Sequence, residues 1–378
     1  MKIKHILCLT GLFFWSQTRS LHVADSVFYV ENNKAKMPVV IRGNIGSNVL
    51  ILFLHGGPGG TSMKKIGTKA FLLLEKKFSV VYWDQRGSVF SQGGDSKKFL
   101  TLDQFVNDLD KLIDKLRAQY PEHAIFLMGH CWGGGLGTAY LLSQVRQAKI
   151  SGWIDVAGAH NNPRADSLSM AWVRDYANSK IQQNQNVRYW KRAVEWYRHN
   201  PGFSSAALNH YRYVKKAGGY VLFETPQNGI YPGYNSKDFF RAPVEFVRYY
   251  INYHKILSDF IISDIDLTDG MKNIRIPSLI IWGRNDGLIP VALAYDAYRA
   301  LGTEENDKHV VIFKDAAHTV FYEQPDAFAR TVEAFIEICI NREMLASSLC
   351  SAPENPNSSL HPYHWHIVGG KGAYCSGW

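Results

Sequence analysis

The pentapeptide Gly-His-Cys-Trp-Gly at residues 129–133 constrains the fold of this chain more than any other feature. It follows an apolar run at 124–128 and precedes a stretch at 132–145 whose pattern predicts a helix. A G-x-S-x-G pattern in this setting indicates a sharp strand-to-helix turn that exposes its central side chain. Cysteine stands at the central position here, so the pattern indicates covalent acyl transfer through the sulfur of Cys131.

Short apolar runs alternate with helical periodicity along most of the 378 residues. The runs predicted to be strands lie at 26–30, 38–42, 49–54, 80–84, 124–128, 150–156, 278–282 and 310–313. The segments predicted to be helices lie at 101–120, 132–145 and 326–340. In the first of these helices, Thr101 and Gln104 have the spacing of a capping box. This alternation is typical of an α/β protein whose mostly parallel central sheet is covered by helices on both faces.

Residues 161–255 interrupt the alternation with predicted helices rich in Trp and Tyr. We interpret this segment as a helical cap inserted into a core made of residues 25–160 and 256–340. The segment holds 14 Lys and Arg but 6 Asp and Glu, which accounts for most of the net charge of +9. Both a solvated basic surface and attraction of an anionic substrate are consistent with this excess.

The first 24 residues have the layout of a signal peptide. Two lysines precede a mostly apolar stretch at 6–15, and a short polar segment follows. That stretch is too short to span a bilayer as a stable anchor. We therefore expect export to the periplasm or the exterior with no lasting membrane anchor, although the cleavage site is poorly defined.

Residues 341–378 are rich in Ser, Pro, Gly and aromatic residues, which predicts a poorly ordered tail. Cys350 and Cys375 flank this tail, and the sequence leaves open whether they pair in an oxidising compartment. The tail also holds three closely spaced histidines, His361, His364 and His366. No carboxylate lies close to them in sequence, so we predict no metal site.

Three further fragments complete a candidate site around Cys131. Asp286 and His318 each lie in the loop that follows a predicted strand, where ligand sites of open α/β sheets are found. In that arrangement His318 would act as base and Asp286 would orient it. The oxyanion donors are predicted to be the backbone N–H of Trp132 and that of Gly57, with Gly56 as an alternative.

The motifs together resemble the α/β-hydrolase superfamily. They are His-Gly-Gly-Pro-Gly-Gly at 55–60, Trp-Asp-Gln-Arg-Gly at 83–87, Gly-His-Cys-Trp-Gly-Gly at 129–134, Gly-Arg-Asn-Asp at 283–286 and Ala-His at 317–318. The first three are similar to the proline iminopeptidase branch, and the resemblance covers residues 25–340. It implies an α/β-hydrolase fold, a nucleophile–histidine–acid triad, and neither a cofactor nor a metal.

The departures from that family are informative. The family has serine at the elbow, where this chain has Cys131, and the second glycine of the motif that begins at Asp84 is missing. We expect Asp84 and Arg86 to form a structural ion pair near the oxyanion loop. The family binds a substrate ammonium through cap carboxylates, so the tentative substrate-binding residues are Trp190, Glu195 and Glu224.

Three functional hypotheses follow for this chain. The first is a hydrolase of an ester, thioester or amide acyl bond with a Cys-His-Asp triad, acting on a small molecule or peptide that carries either no charge or an anionic group. The second is an acyltransferase that passes the acyl group to an amine, because a thioester aminolyses readily. The third is a non-catalytic binding protein on a hydrolase scaffold. We expect no nucleic-acid partner, and the sequence leaves the oligomeric state open.

Overall fold

A single eight-stranded sheet forms the centre of the protein in the computed structural model, which describes residues 26–94, 96–201, 208–221 and 264–350. The strands are β1 (Ser26–Asn32), β2 (Ala35–Gly43), β3 (Val49–Leu54), β4 (Ser79–Trp83), β5 (Ala124–His130), β6 (Gly152–Val156), β7 (Ser278–Gly283) and β8 (Lys308–Phe313). Their order in the sheet is β1-β2-β4-β3-β5-β6-β7-β8. The first two strands are antiparallel to their neighbours, and every other neighbouring pair is parallel. The predicted α/β class with a mostly parallel sheet is confirmed.

Helices cover both faces of this sheet. They are α1 (Lys69–Lys77), α2 (Leu102–Gln119), α3 (Trp132–Leu141), α4 (Gln144–Gln147), α5 (Asn162–Gln182), α6 (Val187–His199), α7 (Leu208–Lys216), α8 (Ala292–Ala300), α9 (Val320–Glu323) and α10 (Pro325–Cys350). One hydrophobic core joins the sheet to α2, α3 and α8, and the other joins it to α1, α9 and α10.

The packing of strand β3 explains why its sequence is apolar at every position. Leu50, Leu52 and Leu54 belong to the first core, whereas Ile51 and Phe53 belong to the second. Successive side chains of a strand point to opposite faces. A strand covered on both sides therefore needs apolar residues at every position, as the sequence indicated.

Most predicted elements are found within a few residues of their expected ends. Helix α2 begins directly after Thr101, whose side chain accepts a hydrogen bond from the backbone N–H of Gln104. That hydrogen bond confirms one half of the predicted capping box, whereas the Gln104 side chain donates to Asp108 Oδ1 at 2.9 Å instead of bonding back to Thr101. Helices α1 and α8 were not predicted, and α10 continues to Cys350, beyond the predicted end at residue 340.

Helices α5, α6 and α7 lie between β6 and β7 in the chain, within the segment predicted to be the cap. They pack against each other through an aromatic cluster that includes Tyr176, Trp190 and Tyr213. The limits of the cap remain a prediction, because 202–207 and 222–263 lie outside the described residues.

The predicted signal peptide, residues 351–378 of the tail, its three histidines and Cys375 also lie outside the described residues. Across the segments that the structure does describe, none of the helices combines the length and the apolar character needed to cross a membrane.

Candidate active site

Cys131 occupies a strained turn between β5 and α3. Its φ of 56° and ψ of −120° place it in a conformation that residues with a side chain rarely adopt. Such a conformation costs about 1–3 kcal/mol and persists only where the surrounding structure imposes it. A Cβ on Gly129 would lie 2.3 Å from the Gly133 carbonyl oxygen, and one on Gly133 would lie 2.1 Å from that of Leu54. The turn therefore requires glycine on both sides of Cys131.

The end of β6 holds the Cys131 backbone in this conformation. The Cys131 N–H donates to the Val156 carbonyl oxygen at 3.1 Å, and the Cys131 carbonyl oxygen accepts from the Ala159 N–H at 2.9 Å. Cys131 is also the N-cap of α3, so its side chain lies at the positive end of the helix dipole. Helix N-termini stabilise negative charge that develops on a group placed there.

His318 and Asp286 meet in the same region, as predicted. The His318 Nδ1–H donates to Asp286 Oδ2 at 2.8 Å, and both side chains are buried. The other oxygen of Asp286 accepts from the backbone N–H groups of Leu288 and Ile289 at 2.9 and 2.8 Å. Because Nδ1 faces the carboxylate, the remaining nitrogen, Nε2, is the one free for proton transfer.

The His318 ring is electrostatically coupled to Cys131. Burial alone would lower the His318 pKa, but the Asp286 carboxylate and the Cys131 sulfur together raise it to about 10. The contribution of Cys131 is both coulombic and a side-chain hydrogen bond, so the sulfur and the ring lie close together.

The loop at 55–60 lies directly against the elbow. A Cβ on Gly56 would come within 3.2 Å of Cys131 Cβ, which is tighter than an ordinary contact, so a larger residue at position 56 would press against the elbow. Gly57 has a φ of +140°, and its Cβ would lie 2.7 Å from the Gly60 nitrogen. Within the described part of the chain, the backbone N–H groups of Gly56, Gly57 and Trp132 have no acceptor. All three are thus available as oxyanion donors, and the choice between Gly56 and Gly57 remains a prediction.

Gln85 ties this loop to the elbow, a role that sequence reasoning missed. Its amide nitrogen donates to the His55 carbonyl oxygen at 3.1 Å, and its amide oxygen accepts from Trp132 Nε1 at 2.8 Å. The Gln85 backbone N–H also donates to His55 Nε2 at 3.1 Å. Burial lowers the His55 pKa to about 4, which keeps the ring neutral and able to accept. The only sequence signal was the position of Gln85 inside the 83–87 motif.

The expected ion pair between Asp84 and Arg86 is wrong. Arg86 instead forms a bidentate pair with Asp108 of α2, at 2.6 and 2.8 Å. Asp84 accepts hydrogen bonds from Thr61 Oγ1 at 2.9 Å and from the Ser62 N–H at 2.8 Å. Thr61 and Ser62 come directly after the oxyanion loop in the chain, so their hydrogen bonds to Asp84 hold the end of that loop in place. Burial raises the Asp84 pKa to about 7, which is consistent with a carboxyl group that has no ion-pair partner.

The tentative substrate-binding residues do not gather at the site. Trp190 is 2% exposed and packs with Ala177, Ala193 and Ala217 inside the helical layer. Glu195 is exposed and pairs with Arg198 at 3.2 Å. The structure therefore gives no support to a substrate-binding role for either residue, and Glu224 lies outside the described residues.

Two other residues contact His318 and were not predicted. His130 Nε2–H donates to the His318 carbonyl oxygen at 3.0 Å, and burial lowers the His130 pKa well below its usual value. The Tyr220 ring lies beside the His318 ring at a tilt of 37°, with centroids 5.5 Å apart. The backbone of the preceding residue, Gly219, accepts from the Gly287 N–H at 2.8 Å, which anchors this segment beside Asp286. Nothing in the sequence distinguished Tyr220 from the other tyrosines of the segment.

No group of three or more His, Cys, Asp or Glu side chains is arranged to hold a metal ion in the regions that the structure covers. The convergent groups at the elbow are a thiol, an imidazole and a carboxylate, with backbone N–H donors beside them. This set can form and break an acyl–sulfur bond without any further group.

Comparisons with known proteins place this geometry in context. The sequence profile of the family described as "alpha/beta hydrolase fold" matches residues 49–325. A probable aminopeptidase, YbaC of Bacillus subtilis, is 27% identical over 318 residues, which cover 79% of this chain and 92% of that protein. The proline iminopeptidase of Thermoplasma volcanium is 22% identical over 339 residues, covering 84% and 94% of the two chains.

Solved structures agree at the level of the fold. The crystal structure of VinJ superposes with a TM-score of 0.58 at 20% identity and covers 83% of this chain and 99% of that one. The proline iminopeptidase of Mycobacterium smegmatis gives a TM-score of 0.57 at 16% identity, with 83% and 98% covered.

Proposed function

The chain belongs to the α/β-hydrolase fold family and has aminopeptidase and proline iminopeptidase homologues, and on this premise we propose that its acyl-bond hydrolysis proceeds through a covalent intermediate on Cys131. The bond cleaved is an ester, thioester or amide. The observation that carries the proposal is the convergence of three side chains: Cys131 in a strained turn, His318 beside it, and Asp286 bonded to His318.

Attack begins with the sulfur as a thiolate and His318 as an imidazolium. A carbon–sulfur bond forms at the acyl carbon, and the carbonyl electrons move to its oxygen. The N–H groups of Trp132 and Gly57 then stabilise the oxyanion, and the loss of one such donor costs roughly 3–4 kcal/mol of transition-state stabilisation. When the tetrahedral species collapses, the leaving group departs with a proton from His318 Nε2.

Release of the acyl group reverses these roles. Water attacks the thioester carbon while His318 Nε2 accepts the water proton. The carbon–sulfur bond breaks, the carboxylic acid departs, and the thiolate–imidazolium pair is restored. Asp286 keeps the ring in the correct tautomer throughout.

Acyl transfer to an amine is the second candidate, and the sulfur at the elbow favours it. A thioester reacts with amines more readily than an oxygen ester of serine does, so an amine that reaches the intermediate competes with water. The deprotonated His318 would accept the proton of the attacking amine as it does that of water.

Steady-state kinetics with 4-nitrophenyl hexanoate, with and without an added primary amine, test the proposal. Cys131→Ala should lower kcat/KM by at least about 10⁴-fold, whereas Cys339→Ala, which removes a buried thiol far from the elbow, serves as the control. A dominant amide product at millimolar amine would favour the transferase. No turnover above the uncatalysed rate in wild type or in Cys131→Ala would favour the third hypothesis, a binding protein on a hydrolase scaffold, whereas equal catalysed rates would contradict Cys131 as the nucleophile.

Export and domain organisation remain proposals of the same kind. Residues 1–24 would direct the chain to the periplasm or the exterior, and residues 161–255 would cap the core. N-terminal sequencing of the mature protein recovered from each compartment tests the first, since an intact Met1 in the cytoplasmic fraction alone would contradict export.

A further inference from the structure

Lys65 is a partly buried lysine that forms no ion pair with any residue that the structure describes. It ends a single 3-10 turn, Met63–Lys65, directly after the oxyanion loop. Its Nζ donates to the Tyr322 hydroxyl at 2.8 Å and lies 4.3 Å from the ring centroids of both Phe321 and Tyr322. The Lys65 ammonium therefore lies between the turn after the oxyanion loop and α9, the helix that follows His318.

The two acidic residues that follow Tyr322 in the chain, Glu323 and Asp326, have other partners. Asp326 pairs with Lys69, and Glu323 Oε2 accepts from the Ala317 N–H at 3.0 Å. Throughout the described ranges, no carboxylate forms an ion pair with Lys65. Burial lowers the Lys65 pKa to about 7, and the neighbouring Lys64 adds to that shift. A cation in this state gains more from a bound anion than a solvated surface lysine does, because the anion would offset the cost of burial.

This ammonium belongs to the neighbourhood of Cys131. Its Nζ lies 4.3 Å from the centroid of the Phe321 ring, and that ring lies 4.9 Å from the ring of His130, the residue before the cysteine. Burial is the largest cause of the lowered pKa values of His130 and of His55, which begins the oxyanion loop, and the charge of Lys65 adds to both shifts. Lys65 therefore lies close to the elbow that carries the sulfur.

Three phenols lie near Lys65 or the elbow. Tyr322 accepts a hydrogen bond from Lys65, and the Tyr220 ring has its centroid 5.5 Å from that of His318 and 5.1 Å from that of Tyr211. Tyr220 also interacts electrostatically with Tyr322 and with Cys131. Burial is the largest cause of the raised pKa values of Tyr211 and Tyr220, so both hydroxyls stay protonated at neutral pH. Phenolic O–H groups can donate to an anion and add no negative charge that would repel it.

From these contacts we propose that Lys65 and Tyr322 form a subsite for an anionic group of carboxylate type on the substrate. The inference rests on the proposed function, because it assumes that Cys131 reacts with an acyl substrate. It makes that function more specific: the preferred substrate carries a negative charge in addition to its acyl bond. The charge lies either on the acyl part or on the leaving group, and the two positions give different kinetic signatures.

Matched esters distinguish these positions. The acyl pair is 4-nitrophenyl hexanoate and the 4-nitrophenyl monoester of adipic acid, which differ by one terminal carboxylate. The leaving-group pair is 4-hexanoyloxybenzoate and its methyl ester. We expect one of the pairs to show a preference for the anionic member of at least about tenfold in kcat/KM, the value of a charge-assisted hydrogen bond.

The variant Lys65→Met keeps the apolar stem and removes the charge, and Lys64→Met is the matched control at an exposed neighbour. In Lys65→Met the anionic-to-neutral ratio should fall by at least about tenfold, mainly through KM. In Lys64→Met the ratio should stay as in wild type. A Lys65→Met variant that loses activity equally on both members of each pair would show a purely structural role and overturn the proposal, as would an equal effect of both variants.

Binding measurements distinguish a failure of this proposal from a failure of the covalent mechanism. If even the neutral esters are inert, the covalent function fails, yet calorimetry still reports on the subsite when wild type and Lys65→Met are titrated with adipate and with 4-hydroxybenzoate, the anionic fragments of the two pairs. Binding of either fragment that weakens at least about tenfold in Lys65→Met supports the subsite. Binding of both fragments that is absent or unaffected by the substitution refutes it.

Discussion

The elbow and the helical layer above it are built by different kinds of contact. At the elbow, backbone groups fix the reactive side chains: Cys131 bonds to Val156 and Ala159, and Asp286 accepts two N–H groups. In the helical layer, aromatic rings pack on one another, as in the contact between Tyr176 and Trp190 with centroids 5.2 Å apart. We therefore expect catalysis at the elbow to depend on individual hydrogen-bonding atoms. The stability of the helical layer should depend instead on how well its side chains fill the available volume.

The two regions are joined at the loop that carries Asp286. Ser169 of α5 donates to the Gly287 carbonyl oxygen, and the same hydroxyl contacts His210 Nε2 at 2.9 Å. His210 Nδ1 accepts from the Tyr197 hydroxyl at 2.7 Å. This buried polar chain gives the aromatic layer a defined position over the site, so the layer also helps to shape it.

The largest expected effect is that of His318→Asn, which tests whether catalysis at the elbow depends on individual atoms. The substitution removes the base and its charge, so single-turnover acylation should slow by about 10⁴-fold, as in other triads. His199→Asn, at an exposed histidine of α6, is the matched control and should acylate at the wild-type rate. An acylation rate within tenfold of wild type for His318→Asn would contradict the assigned base.

The second largest effect should be on the free energy of unfolding rather than on catalysis. Trp190→Ala leaves a cavity among the aromatic rings of the layer and should lower the free energy of unfolding by about 3–5 kcal/mol. Glu195→Ala on the exposed face of the same helix should change it by less than about 0.5 kcal/mol. Urea denaturation measures both. A KM increase in Glu195→Ala with unchanged stability would instead restore the predicted substrate-binding role of Glu195.

Gln85→Leu tests the link between the oxyanion loop and α3, at the boundary of the elbow. It leaves the buried indole N–H of Trp132 without an acceptor, which should cost about 1–3 kcal/mol of stability. Because the oxyanion loop loses its tie to α3, kcat should fall more than the affinity for substrate changes. A stability loss with unchanged kcat would show that the loop needs no such tie.

The smallest effect concerns pH. The raised pKa of His318 means that the ring stays protonated below about pH 10 and loses its charge as the pH rises through that value. An imidazolium is therefore present beside the sulfur at pH 6, and iodoacetamide should alkylate Cys131 at a rate that changes little between pH 6 and 8. In His318→Asn the rate at pH 6 should be about tenfold lower and should rise with hydroxide concentration. Parallel pH profiles for the two proteins would contradict the ion pair.

The sheet and the elbow were predictable because both depend on local patterns. Apolar runs covered on two faces, glycines at a tight turn and the order of Cys131, Asp286 and His318 are all visible in one dimension. The glycines are required by the backbone itself, since any Cβ at Gly133 would collide with Leu54.

Partner choice among side chains was not predictable in the same way. Asp84 and Arg86 are two residues apart, yet Arg86 pairs with Asp108, because α2 brings that carboxylate to it within the fold. Tyr220 could not be recognised either, since its contact with His318 joins segments far apart in the sequence. Helix α1 was missed because its lysines weaken the apolar pattern.

Intact-mass analysis of the protein mixed with 4-nitrophenyl hexanoate and quenched in acid tests the central claim most directly. The account predicts one added hexanoyl group, mapped by peptide analysis to Cys131 and absent from Cys131→Ala. It also predicts that hydroxylamine at neutral pH releases the group, as expected of a thioester. A hexanoyl group on any other residue, or turnover of the ester with no adduct and with Cys131→Ala equally active, would contradict it.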